Sequence, residues 1–163
     1  MVKLNEVKIG NEQIPENYLI GKRHLTDDEI TILKKNGNNN VDSSWQNFYV
    51  SKEEGAFNPE LIHSTLFSGF IILGKVQPVE LQYNDLHLLC GIQNSRVSNI
   101  VVGDHCAIRD VHYLDNYILG ERVILFNVQE MCCTNHAKFG NGILKEGEPE
   151  EHRVWLGIAN END

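Results

Sequence analysis

Apolar residues in the second half of the chain recur on a short period. Residues 102–111 (VGDHCAIRDV) and 119–128 (LGERVILFNV) align at an offset of 17. Each begins apolar, Gly, acid, and places apolar residues at the fifth, seventh and tenth positions. The ninth position is Asp110 in one and Asn127 in the other. A weaker copy starts at Phe139, at an offset of 20. Such a period is too short for a helical repeat and fits one turn of a parallel β-helix with three faces of roughly six residues. Each short strand turns an apolar side chain inward, then the chain bends. Gly103 and Gly120 are predicted at bends that need a residue without a Cβ. Asp110 and Asn127 are turn formers that tolerate left-handed backbone and stack as a ladder one coil apart. Val102 should lie over Leu119, and Ile108 over Leu125.

The flanking pattern completes the outline. Residues 1–21 suggest no firm element. Thr26 followed by Glu29 is a capping box, with Asp27 and Asp28 in the first turn. Ile30 and Leu33 face inward, Leu25 is a candidate staple, and Lys34, Lys35 and Asn36-Gly37 end the helix. Trp45, Phe48, Tyr49 and Val50 form an apolar group suited to closing the open end of the stack. Coils begin at Ile62. Residues 75–85, with Pro78, break the period and read as a loop or small hairpin, and strand character resumes over 86–92. Val97, Ile100 and Val102 continue it. Residues 129–138 imply a bulge or projecting loop. Residues 145–152 are charged and solvated, and 153–158 read as one more strand. The expected domains are 1–60, an N-terminal helical or cap segment, and 61–163, a parallel β-helix. The absence of a closing helix after that strand suggests a partial chain.

The apolar-Gly-acid pattern resembles the hexapeptide-repeat proteins. That resemblance implies a mainly β fold, the left-handed parallel β-helix, an exception to right-handed crossover. Many such proteins are trimeric acyltransferases or carry a sugar-nucleotide transferase domain. A wider resemblance rests on Arg23-His24-Leu25-Thr26-Asp27-Asp28-Glu29-Ile30, Gly91-Ile92-Gln93-Asn94-Ser95, Asn116-Tyr117-Ile118-Leu119-Gly120, Ala137-Lys138-Phe139-Gly140-Asn141-Gly142 and Lys145-Glu146-Gly147-Glu148. These stretches are similar to the amino-terminal part of a long bacterial family of unknown function, loosely labelled as UDP-N-acetylglucosamine pyrophosphorylase-like. It brings no catalytic residues with it.

Composition narrows the classes. The apolar fraction of 41% suffices for a core in a chain of 163 residues. A formal charge of −9 without basic clusters argues against a nucleic-acid partner. No apolar run reaches membrane-spanning length, and the start lacks a signal-peptide core, so a cytoplasmic location is expected. Cys90, Cys106, Cys132 and Cys133 then read as reduced thiols. Cys106 aligns with Val123 as a small buried hydrophobe, and the vicinal pair lacks metal spacing.

In hexapeptide acyltransferases a histidine often acts as general base, deprotonating a sugar hydroxyl or amine that attacks a thioester. The candidates are His105, His112 and His136. His105 aligns with Arg122 and should point outward. His112 has Tyr113, Asp115 and Asn116 nearby. His136 lies in the irregular segment with Thr134, Asn135 and Lys138. The resemblance thus implies a transferase acting on a sugar or sugar nucleotide. Its catalytic residues would be His136 or His112, with Asn135, Lys138 and Asn116 binding substrate and acetyl-CoA or another acyl donor as cofactor. The site would lie between subunits of a homotrimer. The plain alternative for each histidine is a surface side chain with one hydrogen bond. A three-histidine zinc site is disfavoured because no His-x4-His occurs, so no metal is expected. Phosphate-loop, nucleotide-binding Gly-x-Gly-x-x-Gly and Gly-x-Ser-x-Gly patterns are missing. The competing reading is a non-catalytic scaffold or oligomerisation module, the N-terminal piece of a longer protein.

Overall fold

The computed structural model describes residues 6–9 and 12–133. The third repeat copy, the charged loop and the strand expected over 153–158 lie outside the described residues. Where no element was expected, β1 (Glu6–Ile9) and β2 (Glu12–Pro15) pair antiparallel. Next come β3 (Lys22–His24) and α1 (Asp27–Lys35). The helix starts as its sequence dictates. The Thr26 hydroxyl accepts from the Glu29 N–H at 3.3 Å, and the Glu29 carboxylate accepts from the Thr26 N–H at 2.8 Å. Leu33 is fully buried, and Ile30 and Leu25 pack against the same core.

Just past the helix, Asn38 is 4% exposed. Its amide donates to the Leu33 carbonyl at 2.9 Å and the Ile62 carbonyl at 2.7 Å, and its oxygen accepts from the Thr65 N–H at 3.0 Å. One side chain thus fastens the helix end to the first rung. Two strands, β4 (Asn39–Asn40) and β5 (Phe48–Ser51), then join the main sheet. β3, β4 and β5 thus belong to the same sheet as the later strands, with α1 packed alongside. Trp45, Phe48 and Phe67 close the core, their ring centroids 5.0 to 6.1 Å apart. Tyr49, one residue on, alternates to the outside and lies 4.6 Å from His24.

The rungs follow. β6 (Ile62–His63) and β7 (Leu66–Leu73) form the first. A hairpin of β8 (Glu80–Tyr83) and β9 (Leu86–Leu89) interrupts, and β10 (Gly91–Gln93) with β11 (Arg96–Val102) forms the second. β12 (Ala107–Val111) and β13 (Leu114–Leu119) form the third, and β14 (Ile124–Val128) and β15 (Met131–Cys132) begin a fourth. All pairings between rungs are parallel. Val102 pairs with Leu119 and Ile108 with Leu125, as the repeat required. Inside, Ile62, Ile92, Ile108 and Leu125 stack in one column, and Phe67, Val97, Leu114 and Met131 in another.

Corners recur three times per rung. Left-handed φ values between 47° and 59° fall at Asn94, Asn99, His105, Asp110, Asn116, Arg122 and Asn127. Their five- or six-residue spacing divides each rung into three sides. Asp110 and Asn127 occupy the expected geometry, with the bond to Asp110 coming from the rung above: the Asn94 amide donates to its carboxylate at 2.7 Å.

Two expectations need correction. Gly103 and Gly120 are not left-handed; that conformation falls two residues later, on His105 and Arg122. Gly103 is required instead by close approach, because a Cβ there would sit 2.5 Å from Gly120 backbone atoms. The strand expected over 86–92 is also two elements. Leu86–Leu89 is the returning arm of the hairpin, and the rung resumes at Gly91, whose Cβ would collide with the Leu61 carbonyl. Leu81 and Leu88 of the hairpin pack on Ala107, covering part of the outer face of the first side.

Candidate functional site

From β11 onward side chains seventeen residues apart lie side by side, so each side of the stack presents columns of neighbours. The second side is polar outward. Arg96 lies over the Tyr113 ring, 5.4 Å from its centroid. The Asn99 amide donates to Asp115 at 3.1 Å, and the Cys132 thiol lies 3.8 Å from the same carboxylate. The Asn116 amide donates to the Cys133 carbonyl at 2.7 Å.

The expected site residues divide unevenly. His112 is exposed at the corner leading into β13, its backbone N–H donating to Val128 at 2.9 Å. Asn116 is four residues on, held at φ 59° with its amide spent on the rung below. His136, Asn135 and Lys138 lie outside the described residues. His105 is a left-handed corner residue whose Nδ1 is covered by protein and has no protein partner. No group of three metal-ligating side chains occurs among the described residues.

Two groups on the second side are shifted from their ordinary values. Desolvation, then the Asp115 carboxylate, push the Cys132 thiol up, and the same two causes push up the Tyr113 phenol. A reactive cysteine needs the opposite shift. Cys106 is 5% exposed with its thiol 3.1 Å from the Gly120 carbonyl, and burial pushes it up to about 11. It is the small buried hydrophobe its alignment with Val123 implied. This face holds a guanidinium stacked on a phenol, beside a carboxylate that accepts from the Asn99 amide. Sequence reading missed Arg96. The available signal was the period itself, since Arg96 stands seventeen residues before Tyr113.

The third side is apolar outward. Tyr49, Ile72, Val101 and Ile118 form one column. Tyr18, Leu19 and Tyr49 cover its beginning, leaving Ile72 fully buried and Val101 9% exposed. Ile118 is 60% exposed. No helix among the described residues is long and apolar enough to cross a membrane.

Among known families, the model of a domain of unknown function, DUF4954, matches residues 22–151. An uncharacterized protein of Treponema pallidum (strain Nichols) is 36% identical over 139 residues, covering 85% of this chain and 18% of its own length. The chain thus spans under a fifth of the length of that curated relative. No solved structure matches.

Proposed function

The chain belongs to the DUF4954 family, and we propose that it is a left-handed parallel β-helix of the hexapeptide type, acting as a scaffold and oligomerisation module. The observation that carries this is the third side. Its apolar column is covered at one end by Tyr18, Leu19 and Tyr49 and open at Ile118. The five- to six-residue corner spacing supports the three-sided coil, and the hand comes from the hexapeptide resemblance. Ile118, the exposed end of that column, offers an apolar contact for self-association about a threefold axis. Light scattering on the purified chain tests this. A trimer that Ile118→Glu converts to monomer is expected; a monomeric wild-type chain overturns the reading.

A second reading is a transferase acting on a sugar or sugar nucleotide with acetyl-CoA or another acyl donor. His112 favours it, exposed beside the Arg96, Tyr113 and Asp115 face. His112 or His136 would be the general base, and Asn135, Lys138 and Asn116 would bind substrate. Fold analogy by itself does not establish such an activity. Thermal shift with acetyl-CoA and UDP-sugars discriminates, because a ligand of the native state must raise the melting temperature. A rise that His112→Ala reduces supports a ligand site there; no rise at millimolar ligand counts against the reading.

A further inference from the structure

Among the described residues the stack ends on an open edge. β14 pairs on one edge only, with β12, and β15 covers β13 at Leu114 and Asp115 alone. The inner side chains show the same end. Cys106, Ile108, Val111 and Leu114 are buried, whereas Val123, Leu125, Val128 and Met131, one rung on, are half-buried. A bare last rung of this kind needs a further layer.

Three glycines give that layer its chemistry. Each full rung closes on an apolar residue followed by Gly: Leu73-Gly74, Val102-Gly103 and Leu119-Gly120. A Cβ on Gly74 would sit 2.6 Å from the Gly103 carbonyl carbon, and one on Gly103 would sit 2.5 Å from that of Gly120. In both cases the glycine one rung on is what excludes a side chain. Gly120 holds the same place in its rung, yet no described residue lies within 4 Å of its Cβ position. Its backbone is not left-handed either. Neither conformation nor a described neighbour therefore calls for glycine there.

Backbone donors follow the same step. Gly74 donates to the Val102 carbonyl at 2.7 Å and Gly103 to that of Leu119 at 3.0 Å. Gly91 donates to Cys106 and Ala107 to Val123, both at 2.9 Å. By that step the N–H groups of Gly120 and Ile124 face the open edge. Cys133, the last described residue, stands at this edge just past β15. Beyond it in the sequence the apolar-Gly pair recurs at Phe139-Gly140 and, seventeen residues further, at Leu156-Gly157. The Treponema relative continues far past the matched part, which is 18% of its length.

We propose that this edge docks the polypeptide following Cys133 as further rungs of the same repeat, with a glycine against Gly120 and a strand against β14. The Gly120 and Ile124 N–H groups donate to that layer, which closes over Val123, Leu125, Val128 and Met131. The surface lies at the end of the stack and not on its third side, so it is decided apart from the scaffold reading.

Gly120→Ala in the full chain tests it, with Gly103→Ala as the reference collision. Both variants should lower the melting temperature, by about 4 °C or more. On an open edge alanine replaces glycine without strain, and the melting temperature would stay level or rise. Amide hydrogen exchange on the unaltered chain gives a second reading that needs no variant. The Gly120 and Ile124 amides should be protected as strongly as those of Gly103 and Ala107, at every protein concentration. A level or raised melting temperature in Gly120→Ala, or free exchange at Gly120 and Ile124, would overturn the proposal. So would protection that fades on dilution, because a second copy would then be the cover.

Discussion

Asn38 is the residue on which most backbone depends. The Ile62 carbonyl and the Thr65 N–H bond its side-chain amide, and the Leu33 carbonyl accepts from that amide and also from the Asn38 backbone N–H at 3.0 Å. Leaving a buried polar group without a partner costs about 1–3 kcal/mol. Asn38→Ala should therefore destabilise by about 3 kcal/mol in urea unfolding; a loss near zero would mean the helix end is not fastened there. His105 predicts the opposite sign. A non-glycine residue at φ 55° occupies a sparsely populated backbone region, and its Nδ1 is covered without a protein partner. Asn tolerates that backbone far better. His105→Asn should raise stability by about 1 kcal/mol, read as a higher melting temperature; a lower one would show that the imidazole has a structural task.

At the scale of the element, α1 is specified by its own residues. The capping box, the acidic first turn and the basic last turn all occur within it. Arg23 adds a two-pronged contact to Glu29, at 2.7 and 2.8 Å. Burial pushes the Glu29 carboxyl up, but the Arg23 guanidinium and the Thr26 backbone N–H outweigh it and hold it below its usual range. A carboxyl depressed in the folded state contributes stability above its unfolded pKa. That contribution fades as pH falls through the folded value. Glu29→Gln should lower the melting temperature at neutral pH and remove part of the loss seen on acidification. Equal pH profiles for variant and wild type would contradict the linkage.

Over the whole molecule, the rungs depend on their neighbours. Two rungs present matching inner columns, and Gly103 lets backbone meet backbone without a Cβ between. The hairpin binds to the stack from outside through Leu81 and Leu88, which are 2% and 6% exposed. Leu88→Ala should cost about 2–4 kcal/mol if hairpin and stack unfold together. A much smaller loss, with the hairpin alone becoming protease-sensitive, would make it a separate unit. The hairpin also meets Arg109, whose Nη2 donates to the Leu89 carbonyl at 3.3 Å.

The sequence by itself determined what is local or strictly periodic. The capping box placed the helix, and the 17-residue offset paired Val102 with Leu119 and Ile108 with Leu125, because apolar side chains that recur once per turn can only be buried by stacking. Asp110 and Asn127 announced two corners through their tolerance of left-handed backbone. Arg122 did not, since its side chain has no preference for the conformation that closure of the rung imposes. Tertiary structure decided the rest. It assigned Leu86–Leu89 to the hairpin rather than the rung, joined β4 and β5 to the sheet, and turned Arg96 onto Tyr113 and Arg109 against Leu89. Those contacts bring together residues from different rungs or from an insertion, and composition and spacing do not encode which exposed neighbours will meet.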